Sequence, residues 1–176
     1  MKRKRYSVEQ IVAVLKQAEM GKPMAELPQA VYRLSSSDDL RHVIEVPDRP
    51  NGLAFSSDGR TFYLAVTGDG FLAEAVQEVR AYDLSADGTL SNERLFHRAG
   101  QGAVDGIAMN EDGCLWCSTG DGVEVVHPDG AFLRRLALGR TVANLCFGGR
   151  ANARLFICAG DCLLSVFTNV RGLSAG

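Results

Sequence analysis

Two short motifs place a side-chain oxygen before a glycine and an apolar run: Asn51-Gly52-Leu53-Ala54-Phe55 and Asp105-Gly106-Ile107-Ala108-Met109. A third run, Asn144-Leu145-Cys146-Phe147, also opens on a polar residue. An amide oxygen and a carboxylate at equivalent places in a repeat would point toward one axis. Together they suit a hard cation such as Ca²⁺, Mg²⁺ or Mn²⁺. Such a cation polarises a carbonyl and acidifies a bound water, and a carboxylate beside it can manage the proton. Asn-Gly and Asp-Gly also make tight turns for backbone reasons alone, so the residues by themselves leave both readings open.

Other chemical groups carry less. Cys114-x-x-Cys117 brackets Leu115 and Trp116, and strand alternation sends its two thiols to opposite faces, away from a shared metal or a disulfide. Cys158 and Cys162 flank a Gly-Asp turn without a histidine and are expected to be buried thiols. His42, His97 and His127 fall in outer strands or turns and read as surface or packing residues. Ser56-Ser57 and Ser35-Ser36-Ser37 lack the strand-to-helix turn of a nucleophile elbow. Gly68-Asp69-Gly70 reads as loop rather than phosphate cradle.

The elements that would position these groups change character near residues 28–31. In residues 1–28 a capping box at Ser7-Val8-Glu9-Gln10 and apolar Ile11, Val12, Val14, Leu15 and Ala18 predict a short α-helical leader, stopped at Gly21. From Val31 onward the chain reads as short strands punctuated by Asp58-Gly59, Asp87-Gly88, Asp112-Gly113 and Asp129-Gly130. These are hairpin signals. The segments opening at Asn51, Asp105 and Asn144 superimpose as strand, turn, strand. After the first two come an outer strand, a turn and a last strand. Four strands per unit at this spacing predict propeller blades. The expectation is an all-β, partial β-propeller of about three blades over 31–172: a leading half (Val31 to Val46), two full units and a trailing unit. Gly68 to Ala75 is expected to be a surface loop.

Composition agrees with a globular chain. Of 176 residues, 46% are hydrophobic and 23% charged, which excludes wholesale disorder. A net charge of -2 argues against a bulk nucleic-acid binder. No apolar stretch is long enough to span a membrane as a helix. Lys2 to Arg5 precede no apolar signal core. The odd cysteine count of 5 then points to reduced thiols and a cytoplasmic location.

Several spaced motifs carry a family resemblance: Arg49 to Arg60, Val104 to Ala108 continuing through Gly113-Cys114-Leu115-Trp116, Gly120 to Val123 and Pro128-Asp129-Gly130, then Thr141 to Gly149 and Val170-Arg171-Gly172. Over about residues 30–172 the chain resembles the gluconolactonase/senescence-marker-protein (regucalcin-like) family. Residues 1–27 resemble the start of the helix-turn-helix protein of insertion-sequence transposases, without its recognition helix. The first resemblance implies a six-bladed propeller with one divalent cation on its axis, Ca²⁺, Mg²⁺, Mn²⁺ or Zn²⁺, and hydrolysis of a small-molecule sugar lactone or related ester. It places Asn51 and Asp105 on metal ligands and Asp105 also on the acid/base carboxylate. On this resemblance the family's N-terminal Glu ligand is expected to lie in a blade without a counterpart here. Weak cation binding, impaired turnover and self-association through open blade edges are therefore expected. The alternative is a non-catalytic β-repeat binding module or a pseudogene product.

Overall fold

The computed structural model describes residues 30–34, 40–45, 49–68 and 77–173. Among these every regular element is a strand, and all pairings are antiparallel. Strands β1 (Ala30–Leu34) and β2 (Leu40–Glu45) form a two-stranded sheet. Strands β3 (Pro50–Phe55), β4 (Thr61–Val66), β5 (Glu78–Leu84) and β6 (Leu90–Arg98) form a four-stranded meander. A second meander contains β7 (Ile107–Met109), β8 (Leu115–Thr119), β9 (Gly122–Val126) and β10 (Phe132–Ala137). The last sheet has three strands, β11 (Val142–Gly148), β12 (Arg154–Ala159) and β13 (Cys162–Phe167). The half unit, two full units and trailing unit legible in the sequence are thus present. The sheets do not close into a ring among the described residues. The expected helical leader, and the loop over residues 69–75, lie outside them.

The four Asp-Gly pairs make one repeated hairpin. Each glycine has a positive φ: 69° at Gly59, 84° at Gly88, 80° at Gly113 and 90° at Gly130. Each donates its N–H to the carbonyl three residues back, on Ser56, Ser85, Asn110 and His127. This is a turn followed by a left-handed residue, a conformation open to glycine. The aspartates lock three of the turns. Asp58 accepts from Arg60 N–H at 3.0 Å, Asp87 from Thr89 N–H at 3.0 Å and Asp129 from Ala131 N–H at 2.9 Å. In the remaining turn Asn110 takes over, its Oδ1 accepting from Cys114 N–H at 2.7 Å.

The core lies between sheets, because each strand alternates its side chains front and back. Phe62, Leu64 and Val66 of β4 pack backward on Val31 and Ile44. Tyr63 and Ala65 of the same strand pack forward, with Val79 and Ala81, on Ile107, Met109, Leu115 and Cys117. The next interface sets Val123, Ala108 and Trp116 against Leu145, Leu155 and Ile157. Leu64, Leu115 and Leu155 are fully buried, each worth about 2 kcal/mol of transfer free energy. The cysteine spacing behaves as alternation requires: Cys117 is buried and Cys114 only half-buried. Burial first, and the nearby Glu124 charge second, push the Cys117 thiol up, so it is an inert packing group.

A polar contact fastens the two four-stranded sheets. His97 on β6 and Glu124 on β9 meet at 2.8 Å, Nε2 to Oε2, with side chains 8% and 1% exposed. Gly100 N–H donates to Glu124 at 3.2 Å, and Arg135 lies 3.7 Å away. Of the surface and packing roles open to it, His97 takes the packing one: a partner 27 residues away in the next sheet buries it.

Two outcomes follow. His97→Ala leaves the Glu124 carboxylate buried without its closest partner and should cost about 3 kcal/mol in urea unfolding; a change within error would show the contact to be idle. Hydrogen bonds from Ser56, from Ser85 and from Ala131 N–H hold Asp58, Asp87 and Asp129 respectively below the usual carboxylate range, Asp87 at about 2. Their folded-state values lie below the unfolded ones, so their contribution is complete above about pH 4 and is lost as pH falls toward 2. The triple Asp→Asn variant, which keeps the turn acceptors, should lose less stability across that window than the wild type.

Candidate metal centre

Asn51 and Asp105 stand at the starts of neighbouring inner strands. Gly52 N–H donates to the Asp105 carbonyl at 2.9 Å. One sheet further on, Gly106 N–H donates to the Ala143 carbonyl at 3.1 Å. The same bond joins successive sheets, so it fixes which residues are equivalent. Asn51, Asp105 and Ala143 share one place; Gly52, Gly106 and Asn144 share the next. The sequence pattern sets Asn144 beside Asn51 and Asp105. The backbone register puts Ala143 there, and its methyl group offers no donor atom. Asn144 Oδ1 instead accepts from Leu145 N–H at 2.8 Å.

The glycines have a steric reason unrelated to turns. Neither Gly52 nor Gly106 has a positive φ. A Cβ on Gly52 would overlap the Asp105 carbonyl oxygen and come within 2.9 Å of Ile107 N. A Cβ on Gly106 would overlap Asn144 Oδ1 and lie 2.8 Å from its Cα. Both glycines let one inner strand approach the next. That approach brings the two predicted ligands together.

Hydroxyl groups then fix the pair. Asn51 Nδ2 donates to Thr67 Oγ1 at 3.1 Å, and Thr67 Oγ1 donates to the Val104 carbonyl at 2.8 Å. Asp105 N–H donates to Ser118 Oγ at 3.2 Å, while Ser118 N–H donates to the Gly106 carbonyl at 2.9 Å. Thr67 and Ser118 escape a search for ligands. Their only sequence signal is a small hydroxyl residue near the end of the second strand of its unit.

Burial pushes the Asp105 carboxyl up, and a hydrogen bond from the Asn51 side chain partly opposes the shift. No Lys, Arg or His forms an ion pair with Asp105 among the described residues. A half-buried carboxylate without a cationic neighbour, beside an amide, fits part of a hard-cation site. The set is short. No group of three or more His, Cys, Asp or Glu side chains could hold a metal among the described residues.

Residues 11–161 match the SMP-30/Gluconolactonase/LRE-like region. The chain belongs to this family. The match opens inside the segment whose sequence resembles a transposase leader, and nothing in it supports that second resemblance. The lactonohydrolase oryL of Aspergillus oryzae is 31% identical over 151 residues, covering 74% of this chain and 34% of its own. A solved gluconolactonase from Xanthomonas campestris is 33% identical with a TM-score of 0.70, covering 86% of this chain and 49% of its own. The calcium-binding regucalcin of Agrobacterium tumefaciens, at 22% identity and a TM-score of 0.62, shares the fold over 76% of this chain and 45% of its own. The chain thus spans between a third and a half of the length of these relatives.

Replacing either glycine by alanine tests the register directly. Gly52→Ala and Gly106→Ala should each cost about 1–3 kcal/mol, because backbone atoms lie in the way at both positions, with the Asn144 side chain added at Gly106. Chemical denaturation measures this, and an unchanged midpoint would remove the steric argument.

Proposed function

We propose that Asn51 and Asp105 form one side of a divalent-cation site serving hydrolysis of a small cyclic ester, a sugar lactone or its like. The supporting observation is the convergence of an amide and a desolvated carboxylate at one register position of adjacent inner strands. Kinship with lactonohydrolases and gluconolactonases supplies the substrate class. A bound cation would polarise the lactone carbonyl.

The residues divide the remaining tasks. The Asn51 amide is oriented by Thr67, which fixes the direction of its oxygen. Asp105 is held by its backbone contacts to Gly52 and Ser118. Its upward shift moves the carboxyl toward the range where it accepts a proton and returns it. In hydrolysis it takes a proton from the attacking water as the new C–O bond forms. It gives that proton to the ring oxygen as the ester C–O bond breaks, which leaves a hydroxy acid.

With Ala143 in the third place, two side chains cannot fill the six or more positions of such a cation. Water, backbone carbonyls or residues outside those described would have to complete the set. The protein is therefore expected to bind Ca²⁺ or Mn²⁺ weakly and to hydrolyse a probe such as δ-gluconolactone slowly. A pH-stat assay with each cation tests this. Asp105→Asn should bring the cation-stimulated rate down to the uncatalysed background. A rate that is indifferent to cations, or that survives this substitution, would contradict the proposal and favour a non-catalytic binding module.

A further inference from the structure

The Thr67 hydroxyl has one proton, and the structure shows where it goes. Thr67 follows β4 and is half-buried. Its Oγ1 lies 2.8 Å from the Val104 carbonyl oxygen. A carbonyl has no proton to give, so the hydroxyl is the donor there. Toward its other side-chain neighbour, Asn51 at 3.1 Å, Thr67 can then only accept. Asparagine meets that demand with Nδ2. An aspartate would set a carboxylate oxygen against a lone pair. Turning the hydroxyl proton toward it would strip the Val104 carbonyl of its donor instead, so one bond is lost either way. Thr67 N–H also donates to the Arg49 carbonyl at 3.1 Å. Thr67 is thus tied to the segments that lead into both Asn51 and Asp105.

Strand pairing gives the counterparts of Thr67 in the other sheets. Leu64 pairs with Leu53, Cys117 with Ile107 and Ile157 with Leu145. Three residues beyond the first member of each pair stand Thr67, Gly120 and Gly160. Two residues before the second stand Asn51, Asp105 and Ala143. The hydroxyl therefore accompanies the amide, and a glycine accompanies the carboxylate and the methyl group. Ser118 meets the backbone N–H of Asp105 rather than its carboxyl. A carboxylate is thus open to residue 105 and closed to residue 51. We propose that Thr67 is a positioning residue that dictates an amide at residue 51, so that the cation site carries the single side-chain charge of Asp105 rather than two. Ligand charge is one of the quantities that set how tightly oxygen donors hold a divalent ion. One carboxylate and one amide hold it loosely and let it exchange. The charge consequence rests on the proposed function; the hydrogen-bond polarity does not.

A double-mutant cycle of Asn51→Asp and Thr67→Val on the full 176-residue protein tests this, read by urea unfolding at neutral pH with chelator present. Asn51→Asp should lower the folding equilibrium constant about fivefold more beside Thr67 than in the Thr67→Val background. Thr67→Ser keeps the hydroxyl and should behave as the wild type does. A measurement on the unmutated protein needs no variant to fold: one Asn51 side-chain amide proton should exchange slowly and show a nuclear Overhauser contact with Thr67. Water-proton relaxation with Mn²⁺ reads the charge consequence. The Asn51→Asp/Thr67→Val double variant should bind the ion about tenfold more tightly than the wild type. Coupling within error, a Thr67→Ser protein that behaves like Thr67→Val, or two fast-exchanging Asn51 amide protons would overturn the role of Thr67. Full coupling with an unchanged Mn²⁺ affinity would overturn the charge consequence and the cation reading together.

Discussion

The molecule depends on how closely its inner strands approach one another. Gly52 lies against the Asp105 backbone and Gly106 against that of Asn144, at distances that leave no room for a Cβ. That closeness permits the hydrogen bond carried from sheet to sheet, and the bond sets the register of everything outward. The two oxygen-bearing side chains meet because their glycines do. The large residues Phe62, Leu115 and Leu155 are buried between the sheets that this line sets side by side. Chemistry and packing are thus two consequences of one spacing.

Local signals made much of the fold legible. Asp-Gly pairs demand a left-handed residue, and each of the four ends one strand and starts another at the expected place. Short apolar runs placed most strands within a residue or two, since a strand between two sheets must be apolar on both faces. Asn51 and Asp105 were visible as a pair because repetition marks equivalent positions. Their glycines were ambiguous: the same dipeptide serves a turn at Asp58-Gly59 and a strand contact at Asp105-Gly106. Only the backbone conformation separates the two uses.

What stayed hidden was non-local. Asn144 looked like the third member of the polar row because polarity alone was compared. Aligning Leu145-Cys146-Phe147 with Ile107-Ala108-Met109 shifts the row by one, onto Ala143. His97 gave no sign of its partner, since Glu124 lies in another sheet. Cys158 was expected to be buried as a thiol without a histidine partner, but it is exposed, and the face of the last sheet has no following sheet among the described residues. Thr67 and Ser118 were invisible as positioning groups because one hydroxyl in a strand has no pattern.

In the proposed site Asn51 and Asp105 share one cation. Paramagnetic line broadening by Mn²⁺ in the amide spectrum of the protein reports on it most directly. A shared ion would broaden the Asn51 side-chain amide and the Gly52 and Gly106 backbone amides first and together. Broadening that begins at the exposed turn carboxylates, Asp87 or Asp129, and spares these three would contradict it.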